Sequence, residues 1–278
     1  MPSAITGNVA GLVLQATQSD AFSQIQDDVL LSSSLWVNIA LAGASILLFV
    51  YMGRNVTSSR AKMIWGATLM IPLVSISSYL GLASGLTVGF IEMPAGHALA
   101  GEEVMSQWGR YLTWALSTPM ILIALGTLAD VDRSSLLTVV AADIGMCVTG
   151  LAAALVTSSV AFRWLFYVVS CAFFVVVLYA LLTEWPAAAK RAGTDEIFGT
   201  LRMLTVVLWL GYPIIWALGV EGLAIVQSVG VTSWGYSALD VFAKYVFAFL
   251  LLRWVAANED TVATPGAGAA TGATPADD

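Results

Sequence analysis

The chain has 278 residues, of which 59% are hydrophobic and only 10% are charged, whereas about 25% of residues are charged in soluble domains. Its mean hydropathy of +0.86 excludes an ordinary soluble domain and predicts a polytopic membrane protein. The net charge of −7 argues against nucleic acid as a partner, because phosphate backbones bind basic surfaces.

Seven apolar runs approach or exceed the roughly 20 residues that a helix needs to cross a bilayer. Because the connections between them are short, the chain has room for one helical bundle and little else. We therefore predict an all-α membrane protein with a seven-transmembrane-helix bundle over residues 33–257. The predicted spans are Ser34–Gly53, Met63–Leu86, Gln107–Ala129, Leu136–Val156, Phe162–Leu182, Ile197–Val220 and Trp234–Val255.

The placement of lysine and arginine predicts the orientation, because these residues accumulate in cytoplasmic loops. The basic side carries Arg54, Arg60, Lys62, Arg133, Lys190, Arg191 and Arg253. The other side carries Arg163 and otherwise acidic residues. We predict an extracellular N-terminal tail over residues 1–32 and a cytoplasmic C-terminus. Residues 258–278 are rich in Ala, Gly, Thr and Pro, which predicts a disordered cytoplasmic tail.

Lys244 lies near the middle of the seventh predicted span, and Asp240 precedes it by one helical turn. A charge deep in a bilayer costs on the order of 3 kcal/mol, so it persists where it has a partner or a function. The i, i+4 spacing puts the two side chains on one helix face. A buried amine is also the group that forms Schiff bases with carbonyl compounds. A structural ion pair and a covalent ligand site both fit this pattern.

Polar and aromatic residues follow one face of three predicted spans at three- and four-residue spacing. Because these faces carry ions and hydroxyls in the middle of a membrane, they predict a cavity around Lys244 for a long, flat and apolar ligand. The third span contributes Arg110, Thr113, Trp114, Ser117 and Thr118, the sixth Arg202, Thr205, Trp209, Tyr212 and Trp216, and the seventh Ser233, Ser237, Asp240 and Lys244.

The remaining reactive side chains predict no catalytic site. Cys147 and Cys171 lie within spans and are expected to pack as small apolar thiols. His97, the single histidine, lies in an outer loop. Its two possible roles are a residue that packs the loop and an ion gate. Since neither metal-ligand spacing nor a nucleophile–base pair occurs in the sequence, we expect that the protein is not an enzyme.

Several motifs in this order resemble the microbial rhodopsins over about residues 30–257. They are Arg110-Tyr-Leu-Thr-Trp114, Ser117-Thr-Pro119, Trp209-Leu-Gly-Tyr-Pro213, Trp216 and Asp240-Val-Phe-Ala-Lys244. The resemblance implies all-trans retinal bound to Lys244 as a protonated Schiff base, with Asp240 as counter-ion. It also implies a retinal pocket that is lined by Trp114, Thr118, Met146, Gly150, Phe174, Trp209, Tyr212 and Trp216.

Counting charges predicts an anion in this cavity. A protonated Schiff base and Arg110 supply two positive charges and Asp240 one negative charge, while burial favours the neutral form of Asp143. A net positive charge in a low dielectric is unfavourable by several kcal/mol, and a bound anion would cancel it. Outward proton pumps of the resembled family have an aspartate where this chain has Thr113. The negative charge of that aspartate would repel the anion, whereas Thr113 would not.

The nearest resemblance is to the halorhodopsins, which drive chloride inward with light. It rests on Thr113, on Ala124 in place of a carboxylic acid, on Glu92-Met-Pro-Ala-Gly-His97, and on Arg202 with Thr205. It implies a light-driven chloride pump and photoreceptor protein in a haloarchaeal cell membrane, surrounded by lipid. A homotrimer, with a carotenoid or lipid between protomers, is a further expectation.

The same resemblance implies roles for individual residues. Arg110 would collect chloride from outside, and Thr113 and Ser117 would hold it beside the Schiff base. Arg202 and Thr205 would form the cytoplasmic release path, although Arg202 is also compatible with an ordinary interfacial arginine. The alternative functions are a sensory rhodopsin that signals to a membrane partner, a light-gated channel, and a membrane protein without photochemistry.

Overall fold

The computed structural model describes residues 17–265, and seven helical spans form its bundle. Spans one to four are helices α2 to α5; the fifth joins α6 to α7, the sixth α8 to α9, and the seventh α10 to α11. This confirms the predicted seven-helix bundle. The helices are α1 (residues 17–27), α2 (Val29–Gly53), α3 (Ser59–Ala83), α4 (Gly109–Ala129), α5 (Arg133–Leu155), α6 (Val160–Tyr179), α7 (Trp185–Ala192), α8 (Asp195–Trp209), α9 (Gly211–Leu218), α10 (Val229–Asp240), α11 (Phe247–Ala257) and α12 (Glu259–Ala263).

Two spans contain a π-helical segment, at Ala180–Glu184 in the fifth and at Val241–Val246 in the seventh. Among the described residues, six helices are long and apolar enough to cross a membrane. The seventh span carries Asp240 and Lys244 near its centre, and Lys244 lies inside the π-helical segment. Such segments are rare and occur frequently at functional sites.

Side-chain caps explain where several spans begin. Each cap accepts a backbone N–H from the first turn of its helix, which stabilises the helix start by about 1 kcal/mol. Because Asp28 is one of them, the first span starts at Val29, before the predicted Ser34. The capping residues are Asp28, Ser58, Asp132, Ser159 and Ser228.

A β-hairpin lies between spans two and three, and the sequence analysis did not predict it. Strand β1 (Gly89–Glu92) pairs antiparallel with β2 (Glu103–Ser106), and Phe90 lies opposite Met105. Both strands are short, and they place apolar side chains beside α1 and the first span. We call this end of the bundle the hairpin end and the opposite one the C-terminal end.

Apolar side chains fill the C-terminal half of the bundle. One large cluster of buried residues contains Leu122, Leu125, Phe198 and Leu251 from spans three, six and seven. Ala124 belongs to the same cluster and is fully buried. Close packing of this kind opposes a continuous water path, which a light-gated channel would need.

The described chain remains ordered past the predicted end of the bundle at residue 257. Helix α12 (Glu259–Ala263) lies in the tail that was predicted to be disordered. This segment is ordered because Glu259 binds the start of α3 and Val262 packs into the core. Helix α1 occupies the described part of the predicted N-terminal tail. The predicted tail residues 1–16 and 266–278 lie outside the described residues.

Candidate functional site

Lys244 and Asp240 form an ion pair in the core of the bundle. The Lys244 Nζ lies 3.0 Å from the Asp240 Oδ1, and both side chains are only 1% exposed. The amine makes no hydrogen bond in the described part of the chain. The predicted i, i+4 pair is therefore buried, with one carboxylate beside the amine.

Two tyrosines hold the Asp240 carboxylate from either side. Tyr79 donates a hydrogen bond to Oδ2 at 2.7 Å, and Tyr212 donates one to Oδ1 at 2.8 Å. Hydrogen bonds to a charged group contribute about 1.5–3 kcal/mol each. Tyr79, on the second span, is a site residue that the sequence analysis missed. The available signal in the sequence was the polar pair Ser75 and Tyr79 at i, i+4 within an apolar span.

Arg110 is a buried cation, 3% exposed, that forms no ion pair with any described carboxylate. Its guanidinium donates to Gln107 Oε1 at 2.6 Å, to Ser233 Oγ at 2.6 Å and to the Tyr79 hydroxyl at 3.2 Å. Tyr79 therefore connects Arg110 to Asp240. Neutral oxygen atoms satisfy the geometry of the guanidinium but leave its charge uncompensated.

Thr113 and Ser117 lie one and two turns after Arg110 on the third span, and both are buried. The Thr113 hydroxyl donates to the Gly109 carbonyl at 3.0 Å and contacts the hydroxyl of Ser78. Ser78 precedes Tyr79, so Thr113 is tied to the same turn of the second span that reaches Asp240. The Ser117 hydroxyl has no hydrogen-bond partner within residues 17–265.

An apolar cavity lies between spans three to seven. All eight residues that were predicted for the ligand pocket line it: Trp114, Thr118, Met146, Gly150, Phe174, Trp209, Tyr212 and Trp216. Tyr212 joins the cavity to the ion pair through its hydrogen bond with Asp240. The lining also includes residues that the sequence analysis did not assign to a pocket, among them Tyr111, Tyr167, Ser170, Pro213 and Tyr236.

Aromatic rings pack against one another along this cavity. Tyr167 stacks on Trp216 with 4.8 Å between ring centroids, and Trp114 meets Tyr212 edge to face at 5.2 Å. Ring pairs in these geometries contribute about 0.5–1.5 kcal/mol beyond the burial of their area. Aromatic side chains thus form part of the wall of the apolar cavity.

Two further predictions concern the neighbourhood of this cavity. Cys147 and Cys171 are free thiols, and both contribute to the lining besides packing as small apolar groups. Asp143 is fully buried, and its Oδ2 accepts a hydrogen bond from Thr118 at 2.7 Å. Its Oδ1 has no partner in the described structure, so Asp143 is not paired with a cation.

Arg202 and Thr205 precede the cavity residue Trp209 on α8 and lie nearer than it to the C-terminal end of the bundle. Thr205 is buried, and its hydroxyl donates to the backbone carbonyl of Leu201 at 2.9 Å. This hydrogen bond lies within α8 and joins Thr205 to the preceding turn of the same helix. Arg202 is half-buried, with its Nε unpartnered among the described residues. The structure does not connect either residue to Arg110 or Lys244 by a hydrogen bond.

His97 is buried and links the hairpin to the loop after α9. Its Nδ1 accepts the Leu99 backbone N–H at 3.1 Å, so Nε2 carries the proton and donates to the Gly222 carbonyl at 2.7 Å. Both ring nitrogens are thus engaged with the backbone. This geometry favours the loop-packing interpretation over the ion gate.

Comparison with known proteins identifies the family. The model of the family described as bacteriorhodopsin-like protein matches residues 29–258. Halorhodopsin of Halobacterium salinarum is 73% identical over 264 residues, which is 95% of both chains. Cruxhalorhodopsin-3 of Haloarcula vallismortis is 70% identical over the full length of both. The chain belongs to the halorhodopsins, within the bacteriorhodopsin-like family.

A solved halorhodopsin, described as a light-driven chloride pump, has the same fold. It is 78% identical, with a TM-score of 0.84, and the match covers 85% of this chain and 99% of that one. The present chain is therefore a multi-pass membrane protein of the halorhodopsin type.

The family implies retinal as the chromophore, and the residues of the site show whether they could hold it. A pocket for a long apolar aldehyde bound as a Schiff base must combine an apolar cavity with a buried amine and a nearby carboxylate. Lys244 Nζ makes no hydrogen bond in the described structure, Asp240 lies beside it, and Tyr212 borders the apolar cavity. These residues fit the group.

Proposed function

We propose that this protein is a light-driven inward chloride pump of the cell membrane. The observation that carries the proposal is Arg110, a buried guanidinium without a carboxylate partner among the described residues, which is linked through Tyr79 to the Asp240–Lys244 pair. A solved relative that is 78% identical bears the description of a light-driven chloride pump. The proposed work is transport of an ion, so no covalent substrate chemistry is involved.

Lys244 would hold all-trans retinal covalently, because it is the buried amine whose partner Asp240 is bonded to the cavity residue Tyr212. When bound as a protonated Schiff base, retinal would supply light absorption and a positively charged N–H that changes position on isomerisation. Asp240 would serve as counter-ion, kept in place by Tyr79 and Tyr212. The eight predicted lining residues would confine the polyene and exclude water from it.

The charges around Lys244 favour a bound anion. Arg110 and Lys244 contribute two positive charges, and Asp240 contributes one negative charge. Glu221 lines a chamber with Arg110, but its carboxylate is bonded to Ser106 and Tyr111 and forms no ion pair with Arg110. Asp143 accepts one hydrogen bond from Thr118 and contacts neither cation. An uncompensated buried charge costs several kcal/mol, so a chloride ion between Arg110 and Lys244 would stabilise the site.

Hydroxyl groups complete the proposed chloride site. Ser117 has a free donor in the described structure, and Thr113 supplies a second hydroxyl where a proton pump would carry a repelling carboxylate. Arg110 would attract the ion from the hairpin end. Arg202 and Thr205 would assist its release at the C-terminal end, since a cation there lowers the energy of a departing anion.

The membrane arrangement completes the proposal. The hairpin end would face outside and the C-terminal end the cytoplasm, on the basis of the lysine and arginine distribution. A homotrimer with lipid or carotenoid between protomers stays a prediction. A sensory function is less favoured, because the relatives at about 70% identity are halorhodopsins.

The direct test measures anion binding and ion movement on the same protein. Adding chloride to the retinal-reconstituted protein in the dark should shift its visible absorption maximum in a saturable way, and Arg110→Gln should weaken this response. Illuminated cells should make the medium alkaline, because protons follow the inward negative charge, and a protonophore should enlarge the signal. Acidification that a protonophore abolishes would indicate a proton pump, and no sustained flux a sensor.

A further inference from the structure

Two chambers at the hairpin end share one wall. The inner chamber reaches Arg110 and Gln107. The outer vestibule is lined by Asp27 and Glu102 and is more open to the protein surface. Three residues belong to the linings of both: Met105, Val220 and Val229. All three are apolar, and we call them the partition.

We propose that the partition is the gate through which the anion passes from the extracellular side to Arg110. This inference rests on the proposed chloride transport, and it assigns the access step to residues outside the ion site. The vestibule and the inner chamber are adjacent, so an ion that crosses the partition reaches the guanidinium without passing through the apolar cavity. Met105, Val220 and Val229 then determine how quickly anions exchange.

The partition is built by three separate elements. Met105 belongs to strand β2, Val220 follows α9, and Val229 is the first residue of α10. Met105 and Val229 pack on the apolar cluster beside α1 and the first span, whereas Val220 packs on another cluster inside the hairpin. Because two clusters meet at the partition, it can open along their boundary while each cluster stays intact.

A hydrogen bond holds this boundary closed. Ser106, next to Met105, donates to Glu221 Oε1 at 2.8 Å, and Glu221 follows Val220. Tyr111 of the third span donates to the other carboxylate oxygen at 2.7 Å. Glu221 thereby joins the hairpin, the third span and the loop after α9 beside the partition.

The chemistry of the partition sets a kinetic barrier. A hydrated anion has to lose water to pass between apolar side chains, and hydrophobic constrictions regulate ion movement by excluding water. Methionine is unbranched and has three rotatable bonds, so Met105 can move aside transiently. A barrier of this kind changes the rates of anion entry and exit by the same factor, and it leaves the equilibrium affinity at Arg110 unchanged.

Stopped-flow absorbance on the full-length, retinal-reconstituted protein after a chloride jump tests this in the dark. Met105→Ala should raise both the association and the dissociation rate by about tenfold, which corresponds to about 1.4 kcal/mol of barrier. Val229→Phe should lower both by a similar factor. Met70→Ala and Val231→Phe serve as matched controls, because these side chains are 45% and 49% exposed on spans two and seven, and both should leave the rates unchanged.

Each outcome separates the gate from the pump. Unchanged association and dissociation rates in Met105→Ala and Val229→Phe would place the entry route elsewhere. An altered equilibrium affinity with an unchanged association rate would make these residues part of the ion site. Either result would overturn the proposed gate. If Met105→Ala fails to fold, Ser106→Ala, which removes the bond to Glu221, should accelerate exchange in its place. A wild-type protein without any chloride-dependent spectrum would instead refute the proposed function.

Discussion

Two buried hydroxyl groups of the third span, on Ser117 and Thr127, allow the proposed anion site to be tested against a matched control. Ser117 and Thr127 are both buried, and the hydroxyls of both lack a partner within the described residues. Ser117 lies two turns after Arg110 on the same helix, whereas Thr127 lies at the C-terminal end, where its carbonyl accepts from Arg60. In the proposed site, the free hydroxyl of Ser117 would donate to the anion.

Replacing Ser117 by Ala should lower the dark affinity for chloride by about 10- to 150-fold, because a hydrogen bond to a charged group is worth about 1.5–3 kcal/mol. Thr127→Val removes an equally free hydroxyl from the same span and should leave the affinity unchanged. Spectral titration of both variants measures the effect. Equal affinities in Ser117→Ala and Thr127→Val would remove Ser117 from the ion site.

Tyr79 has two roles at the same atom. Its hydroxyl donates to Asp240 and accepts from Arg110. Tyr79→Phe should therefore destabilise the folded protein by about 1–3 kcal/mol, since two buried charged groups each lose a partner. Thermal unfolding of the variant should be compared with that of Tyr51→Phe, whose ring is 60% exposed. Equal melting temperatures for the two variants would show that the bridge contributes little.

At the scale of elements, α12 is attached to the start of the second span. Glu259 accepts hydrogen bonds from the backbone N–H groups of Ser58 at 2.5 Å and Thr57 at 2.7 Å, and from the Thr57 hydroxyl at 2.9 Å. These bonds hold the pKa of the Glu259 carboxyl below its ordinary value. Val262 packs beneath the attachment and is 2% exposed.

The attachment of α12 should depend on pH. A lowered folded-state pKa means that the stabilisation is fully present above the unfolded value of about 4.3, and is lost as the pH falls through the folded value. Glu259→Gln should speed hydrogen exchange in residues 259–263 at pH 7, and its difference from wild type should vanish in acid. The neighbouring exposed Asp260→Asn is the control. A difference that persists in strong acid would mean that the charge of Glu259 does not hold α12.

At the scale of the whole molecule, the outer vestibule has the same sign of charge as its proposed cargo. Four carboxylates line it, from Asp27, Asp28, Glu102 and Glu103, and its lining contains no lysine or arginine. The chain as a whole carries a net charge of −7. At about 1 M salt the Debye length falls to about 3 Å, so this repulsion would be screened in a saline medium.

We therefore expect chloride association to accelerate when an inert salt is added at constant chloride, because screening removes the repulsion at the vestibule. The same stopped-flow measurement would detect it, and Glu102→Gln combined with Asp27→Asn should flatten the dependence. Association that slows with added salt would instead indicate attraction by basic residues, and would place the entry away from this vestibule.

The sequence by itself determined what depends on spacing along one helix. The seven spans, the Asp240–Lys244 pair and the stripe from Arg110 to Ser117 follow from the periodicity of the α-helix, which brings residues three and four apart to one face. The helical pair and the stripe are each local to one span. The eight predicted lining residues were found through the resemblance, and the structure brings them together from four spans into one cavity.

Only the tertiary structure decided which residues of different elements meet. Tyr79 reaches Asp240 and Arg110 because the second span packs beside the third and seventh, and nothing in its own segment specifies those neighbours. The partition and the Ser106–Glu221 bond arise where a hairpin meets a loop that lies more than a hundred positions later in the sequence. Helix α12 is ordered because Glu259 meets free N–H groups at the start of another helix. Contacts of this kind depend on how whole elements pack together, and the periodicity of a single segment does not specify which elements will be its neighbours.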